Sequence, residues 1–167
     1  QAAASNTDLY VLRYQPGVDL AVTNGDLTVE PPVVWPGSNV LLRCAVRNAG
    51  DLAVTNVSVA FYQGHPASGG VQIAVQNVAP ALLAGGATGS AQCAWTVPQT
   101  TNPVVVYAVA DAAGLVPESD EANNRTSLAL LKPDLRIAQI RCEAAVAGSY
   151  ALIAAVENAG ALPARGA

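Results

Sequence analysis

Asn39-Val40-Leu41-Leu42-Arg43-Cys44-Ala45-Val46-Arg47-Asn48 is the stretch whose reading decides the fold. Val40, Leu42, Cys44 and Val46 alternate with Leu41, Arg43, Ala45 and Arg47. A period of two puts successive side chains on opposite faces of a strand, with one face buried and the other wet. A helix would need its apolar residues three and four apart.

The same alternation appears on either side of this stretch. Val57, Val59 and Phe61 alternate with Ser58, Ala60 and Tyr62, and Ala91, Cys93, Trp95 and Val97 alternate with Gln92, Ala94 and Thr96. Further strands are expected over 18–23, 27–31, 71–78, 104–110 and 125–131. Eleven prolines and 14 glycines punctuate these short runs, as turns do between strands. About seven short strands in roughly 115 residues point to an all-β, immunoglobulin-like antiparallel β-sandwich. Val40, Leu42, Val46, Val57, Val59, Phe61, Trp95 and Val97 are expected to face inward.

Composition limits what such a chain can do. It is 51% hydrophobic, mostly Ala, Val and Leu, and only 12% charged. That is the opposite of the bias of disordered chains. Net charge is −4, and Lys132 is the one lysine beside seven arginines. No basic patch stands out, which argues against nucleic acid as a partner. No apolar run reaches the roughly 18 residues of a transmembrane segment. The 167 residues contain no Met and begin at Gln1, so the chain starts by processing or as a fragment.

An internal repeat sets the domain organisation. Val18-Asp19-Leu20 is echoed by Pro133-Asp134-Leu135, and Val46-Arg47-Asn48-Ala49-Gly50 by Val156-Glu157-Asn158-Ala159-Gly160. The offsets are 115 and 110 residues, so the second copy is five residues shorter between these marks. A weaker echo links Asn6–Leu12 to Asn124–Leu130. Residues 1–17 therefore read as the terminal strand of a preceding module or a linker. Residues 18–132 read as one complete sandwich. Residues 133–167 read as the first two strands, Asp134–Arg141 and Tyr150–Asn158, of a following, incomplete module in a tandem array.

These marks resemble the CARDB family, the cell-adhesion-related domain found in bacteria. The resemblance rests on Asp19-Leu20, the Val46–Gly50 turn, Val57–Tyr62, the Trp95 strand, Val109-Ala110-Asp111 and Val116-Pro117-Glu118-Ser119-Asp120-Glu121-Ala122-Asn123-Asn124. It covers residues 18–132 fully and 133–167 in part. It implies immunoglobulin-like modules, often in tandem, in large surface or secreted proteins. It fixes no ligand, since fold alone does not give function.

The search for catalytic chemistry is nearly empty. The single histidine, His65, lies in Gln63–Gly70 and is expected in an exposed hairpin loop. A triad or a zinc site would need partners that the chain lacks. Neither a nucleophile elbow nor a phosphate-binding glycine loop is present. The chain is read as no enzyme and as carrying no cofactor. Asp111, Glu118, Asp120, Glu121, Asn123 and Asn124 form the one polar constellation. Ca²⁺ needs six to eight hard oxygen ligands of this kind. The preferred reading is a turn whose Asp and Asn side chains bond local backbone, and Ca²⁺ ligation is the alternative. The sequons at Asn56 and Asn124 are read as chance. Tyr10, Tyr14, Tyr62 and Tyr150 are read as strand-face residues, with a sugar-stacking surface as the alternative.

Cys44 and Cys93 fall on the inward set of their strands, and a disulfide between them is set against two buried free thiols. Cys142 has no partner that the sequence names. The expected function is a non-catalytic structural or adhesive module of a surface protein or extracellular fibre, secreted or held at the cell surface. The alternative is a carbohydrate- or protein-binding accessory module of a secreted multidomain enzyme. Two strands cannot build a core, so two ways of completing residues 133–167 are open. The natural chain continues in both directions, or neighbouring copies complete one another by strand addition, head to tail, into a filament.

Overall fold

The computed structural model describes residues 16–100, 103–131, 133–144, 146 and 148–160. The terminal-strand reading of residues 1–15, including Tyr10 and Tyr14, lies outside them. Twelve strands are present among the described residues, in chain order. They are β1 (Leu20–Ala21), β2 (Leu27–Glu30), β3 (Asn39–Asn48), β4 (Val54–Thr55), β5 (Ser58–Gln63) and β6 (Val71–Asn77). Then follow β7 (Leu82–Leu83), β8 (Thr88–Thr96), β9 (Val104–Ala110), β10 (Arg125–Leu130), β11 (Leu135–Ala144) and β12 (Tyr150–Asn158). The all-β reading holds, and every strand ladder is antiparallel.

Two four-stranded sheets make the sandwich. In the first, β3 takes β8 along one edge, and β1 and β2 in succession along the other. In the second the order is β10-β9-β5-β6. The two-residue strands β4 and β7 pair separately; too short to show alternation, they escape a reading of the sequence. The core lies between the sheets. Val40, Leu42, Cys44, Val46, Val57, Val59, Phe61 and Val97 are buried, with Phe61 and Leu42 at 0% exposure. Trp95 is the exception to the expected inward set. It is half-buried, packed against the core from near the end of β8.

The first expected strand, 18–23, shrinks to the pair Leu20–Ala21. Val18 instead makes a parallel bridge to Glu118. Beyond it the chain turns, with Asp26 Oδ2 accepting from the Thr23 N–H at 2.6 Å and its Oγ1 at 2.7 Å. Asp26 N donates back to the Thr23 carbonyl at 3.1 Å. The turn lets one edge of β3 receive two short strands.

β11 and β12 form a sheet of their own and repeat the β1–β3 pairing. Leu135 stands opposite Asn158 and Arg136 opposite Glu157, as Leu20 stands opposite Asn48 and Ala21 opposite Arg47. β11 is continuous where the first copy breaks into β1 and β2, and a bulge between Ile137 and Gln139 stands in for the Thr23–Asp26 turn. The five missing residues come out of that turn and out of the loop before β12.

Candidate functional site

The segment between β9 and β10 carries the polar constellation, and it closes over β1. Glu118 Oε2 accepts from the Leu20 N–H at 2.5 Å, and Glu118 Oε1 accepts from Asn124 Nδ2 at 3.0 Å. Asn123 Nδ2 donates to Asp19 Oδ1 at 2.9 Å, and Val22 N donates to the Asn123 carbonyl at 3.0 Å. Ser119 N donates to the Val18 carbonyl at 2.9 Å. β1 is only two residues long, and these bonds supply the partners its ladder lacks.

The remaining acidic groups bond within the loop. Asp111 adopts a left-handed conformation (φ 41°), and its Oδ2 accepts from Val116 N at 2.7 Å. Asp and Asn tolerate that region because their short side chains bond nearby backbone. Asp120 Oδ1 accepts from Ala122 N at 2.9 Å, and Glu121 Oε2 accepts from Asn124 Nδ2 at 3.4 Å. Burial pushes the Glu118 carboxyl above its ordinary range. The Leu20 N–H pulls it back, Glu121 pushes it up, Asn124 pulls it back and Asp111 pushes it up. Among the described residues no three His, Cys, Asp or Glu side chains converge on a point that would hold a metal. Within the set Asp111, Glu118, Asp120, Glu121 and Asn123, N–H groups face oxygens of Asp111, Glu118, Asp120 and Glu121, while the side-chain oxygens of Asn123 and of neighbouring Asn124 are buried without a hydrogen-bond partner.

A second polar knot lies beside β1. Asn48 is fully buried at the end of β3. Its Oδ1 accepts from Gly50 N at 3.2 Å and Asp19 N at 3.4 Å, while its Nδ2 donates to the Leu52 and Leu83 carbonyls at 2.7 and 3.2 Å. Gly50 presses against the β1 approach, and a Cβ there would collide with the Gly17 carbonyl oxygen. These are the physical reasons for Asn-Ala-Gly. The second copy repeats the knot. Asn158 Oδ1 accepts from Asp134 N at 2.9 Å and Gly160 N at 3.0 Å, and Ala159 N donates to the Asp134 carbonyl at 2.7 Å. Sequence reasoning misses the structural roles of Asn48 and Asp19, although the repeat marks both.

Other candidates fall elsewhere. His65 is half-buried rather than exposed. It caps a one-turn 3₁₀ helix (Pro66–Ser68), its Nδ1 accepts from Ala67 N at 3.2 Å, and its ring meets Tyr107 edge-on at 5.1 Å. Tyr62 stands opposite Tyr107 on β9, beside a cleft of about 400 Å³ that Pro66, Val109, Glu121 and Arg125 also line. Tyr150 lies far exposed on β12. Asn124, in the second sequon, is buried.

Cys44 and Cys93 are both buried free thiols in the structure. The alternation placed them on the same face, but the register sets Cys44 opposite Ala91 and Cys93 opposite Leu42. Diagonal neighbours lie about 7–8 Å apart, with Cβ atoms somewhat closer, beyond the roughly 4 Å between Cβ atoms that a disulfide spans. Burial, with Asp26 adding to it, pushes the Cys44 thiol up to about 12, and burial raises Cys93 as well. Cys142 is an exposed free thiol.

Two packed antiparallel sheets, with a carboxylate-and-amide latch holding a two-residue first strand, define an immunoglobulin-like all-β module. The chain belongs to the CARDB family, whose profile matches residues 17–128. A CARDB domain of Pyrococcus furiosus, solved in complex with di-metal ions, is 20% identical. It aligns over 71% of this chain and 96% of its own, with a TM-score of 0.56. A Geobacter metallireducens protein is 34% identical over 64% of this chain and 90% of its own, at a TM-score of 0.52. A domain of a Methanosarcina acetivorans protein, assigned to the cell surface by inference, is 19% identical. It covers 69% of this chain and 90% of its own at 0.52. No curated protein matches the chain.

Proposed function

We propose that this chain is a non-catalytic structural or adhesive segment of an extracellular tandem-repeat protein, secreted or held at the cell surface. On this reading, residues 18–132 are the complete module and residues 133–167 open the next. The observation that carries it is the recurrence of one hydrogen-bonded knot, Asp19–Asn48–Gly50, at Asp134–Asn158–Gly160. An array needs a repeated, locally specified unit, and this knot is one. The polar groups that would attract a catalytic reading hold strands together instead. The likeness to a domain of a surface-assigned protein adds support for the location. Partners on this reading are neighbouring modules or other copies, and neither nucleic acid nor a metal cofactor has a role.

The test is antibody labelling of intact source cells, with and without brief external proteolysis. Signal on intact cells or in the medium, lost on proteolysis, is expected. Signal only after lysis overturns the reading.

The cleft beside Tyr62 favours a second reading, a carbohydrate- or protein-binding accessory module. A half-buried aromatic ring flanked by Glu121 and Arg125 offers stacking and hydrogen bonds together. Retention on insoluble polysaccharides, lowered by Tyr62→Ala, is the outcome that would replace the first reading with this one.

A further inference from the structure

The cleft beside Tyr62 lies on the outer face of the sheet β10-β9-β5-β6. Val109 on β9 stands opposite Ala60 on β5 and Arg125 on β10, and Tyr62 stands opposite Tyr107 one step along. Directly opposed residues of an antiparallel pair share a face. Tyr62, Tyr107, Val109 and Arg125 therefore point away from the core, while the alternate residues Phe61, Ala108 and Ala110 are buried in it. Half-buried Val109 is the floor of the cleft. Because β9 runs between β5 and β10, Tyr62 and Pro66 line one side and Glu121 and Arg125 the other.

The apolar wall is held from behind. His65 caps the one-turn helix that starts at Pro66, and its ring meets Tyr107 edge-on. The His65 carbonyl accepts from Ser68 N and Gly70 N, both at 2.9 Å, and Gly64 N donates to the Val105 carbonyl at 2.8 Å. Gly70 lies so close to the Gly64 carbonyl oxygen that a Cβ would collide with it. The opposite wall carries both signs of charge. Glu121 and Arg125 line one cleft, yet they form no ion pair with each other. Among the described residues the exposed Arg125 guanidinium has neither a hydrogen bond nor a carboxylate partner. Glu121 Oε2 takes a long bond of 3.4 Å from Asn124 Nδ2, and among the described residues Oε1 takes none.

We propose that this cleft binds a neutral pyranose unit of a polysaccharide, with Tyr62 against the flat C–H face of the ring and Glu121 and Arg125 sharing a pair of its hydroxyl groups. The proposal rests on the second reading above and names the ligand class of that same site. A carboxylate only accepts and a guanidinium only donates, whereas a hydroxyl does both. Adjacent hydroxyls therefore satisfy Glu121 and Arg125 together, through bonds of the stronger, charge-assisted kind. A sugar carboxylate would gain at Arg125 but meet Glu121, in a chain whose net charge is already −4. An amino sugar would gain at Glu121 but meet Arg125. A neutral ring is opposed by neither. The volume, about 400 Å³, is at the small end of ligand clefts, and apolar walls with a few polar groups are what such clefts use. Tyrosine supplies the ring face for stacking.

Titration calorimetry of the full chain at fixed ionic strength tests this. The probes are neutral cello-, xylo- and manno-oligosaccharides, an oligogalacturonate and a chitosan oligosaccharide. At least one neutral probe should bind, and both charged probes should bind about tenfold more weakly or not at all. Tyr62→Ala and Arg125→Ala should each weaken the neutral sugar by about tenfold or more. Glu121→Gln keeps an acceptor and discards the charge, so it should weaken binding several-fold. Glu121 and Arg125 are exposed, so their variants should melt as wild type does. Ser127→Ala, on the same face but outside the cleft, should change neither melting nor affinity. Neutral binding that survives Arg125→Ala and Glu121→Gln unchanged overturns the proposal. So does preference for the uronate or the amino sugar, and both of these results leave the accessory-module reading standing. Absence of binding to every probe also overturns the proposal, and the accessory-module reading then stands or falls by retention on insoluble polysaccharides.

Discussion

The front sheet of the sandwich and the β11–β12 hairpin are two folds of one pattern. Both start at an Asp-Leu, end at an Asn-Ala-Gly, and tie the two together with the same side-chain oxygen. In the first, Leu20, Leu42 and Val46 are sealed at 0% exposure; in the second, their counterparts Leu135, Leu152 and Val156 are more than half exposed. The comparison separates two things that usually arrive together. Strand pairing, register and the turn are specified within some 30 residues. Burial, which supplies most of the stabilisation, depends on residues contributed from elsewhere.

The sharpest way to break this comparison is to truncate the same leucine in both regions. Leu42→Ala removes a side chain from a sealed core and should cost about 2–5 kcal/mol, including the cavity left behind. Leu152→Ala removes an exposed one and should stay within about 0.5 kcal/mol. Denaturant unfolding followed by Trp35 and Trp95 fluorescence reads both. Comparable losses would mean that the hairpin face is covered in the chain as it stands. Phe61→Ala on the facing sheet, also at 0% exposure, should cost about 3–5 kcal/mol.

The asparagines give the next largest contrast. Asn48→Ala leaves the Leu52 and Leu83 carbonyls and the Gly50 and Asp19 N–H groups without a side-chain partner in a water-poor corner. A loss of at least about 1–3 kcal/mol follows from the desolvation penalty of such orphaned groups. Asn158→Ala removes the counterpart bonds where water can replace them, and its effect should be a few tenths of a kcal/mol on the same scale. Hydrogen exchange at Gly50 and Gly160 resolves the two sites. Equal acceleration at both would show that the knot stabilises locally, independent of burial.

How much of the fold is legible in the sequence follows from the same division. Period-two alternation in 39–48 and 91–97 gave the strands and their inward faces, because side-chain direction is a local property. Val104–Ala110 and Tyr150–Asn158 fall where the pattern placed them. Register between distant strands is not local: Cys44 and Cys93 share a face, and only the pairing of β3 with β8 shows that they stand one diagonal step apart. β4 and β7 were invisible because two residues carry no period. The acidic loop was recognised as a turn, but its target was not. Nothing in Glu118 itself says that it reaches back 98 positions to the Leu20 N–H.

That latch exists in the sandwich and has no counterpart in the described hairpin, so Glu118 sharpens the comparison at one end only. Glu118→Ala removes the acceptor of the Leu20 N–H and should cost about 1–2 kcal/mol. Glu118→Gln keeps an acceptor and discards the charge that burial disfavours, so its cost should be smaller. The sign with pH follows from the raised carboxyl. The folded chain holds the Glu118 proton to higher pH than the unfolded chain, whose ordinary value is 4.5. The contribution of that proton is fully present below 4.5 and is lost as pH rises through the folded value. Relative to wild type, the Gln variant should therefore gain stability between acid and neutral pH. A gap that stays flat across that range would show that the carboxyl is not held in a desolvated setting.

The smallest effect is expected from Ca²⁺, and it tests whether the loop is a latch or a cation site. A hard cation needs six to eight oxygens free to turn toward it. Here Glu118, Asp120 and Asp111 each already accept a backbone N–H, and Asn123 and Asn124 present N–H donors to carboxylates. Both oxygens of Glu118 are engaged, Oε2 by the Leu20 N–H and Oε1 by Asn124, so an ion ligated there would compete with the bond that holds β1. An ion held only by the folded chain raises stability by about 2.7 kcal/mol at a hundredfold excess over its dissociation constant, several degrees for a domain of this size. The melting temperature should instead be the same, to within about a degree, in EDTA and in millimolar Ca²⁺. Mg²⁺ at equal ionic strength controls for screening of the acidic chain. A rise of several degrees with Ca²⁺ alone, abolished by Asp120→Ala, would show that the loop rearranges into a site and that the latch is only its ion-free form.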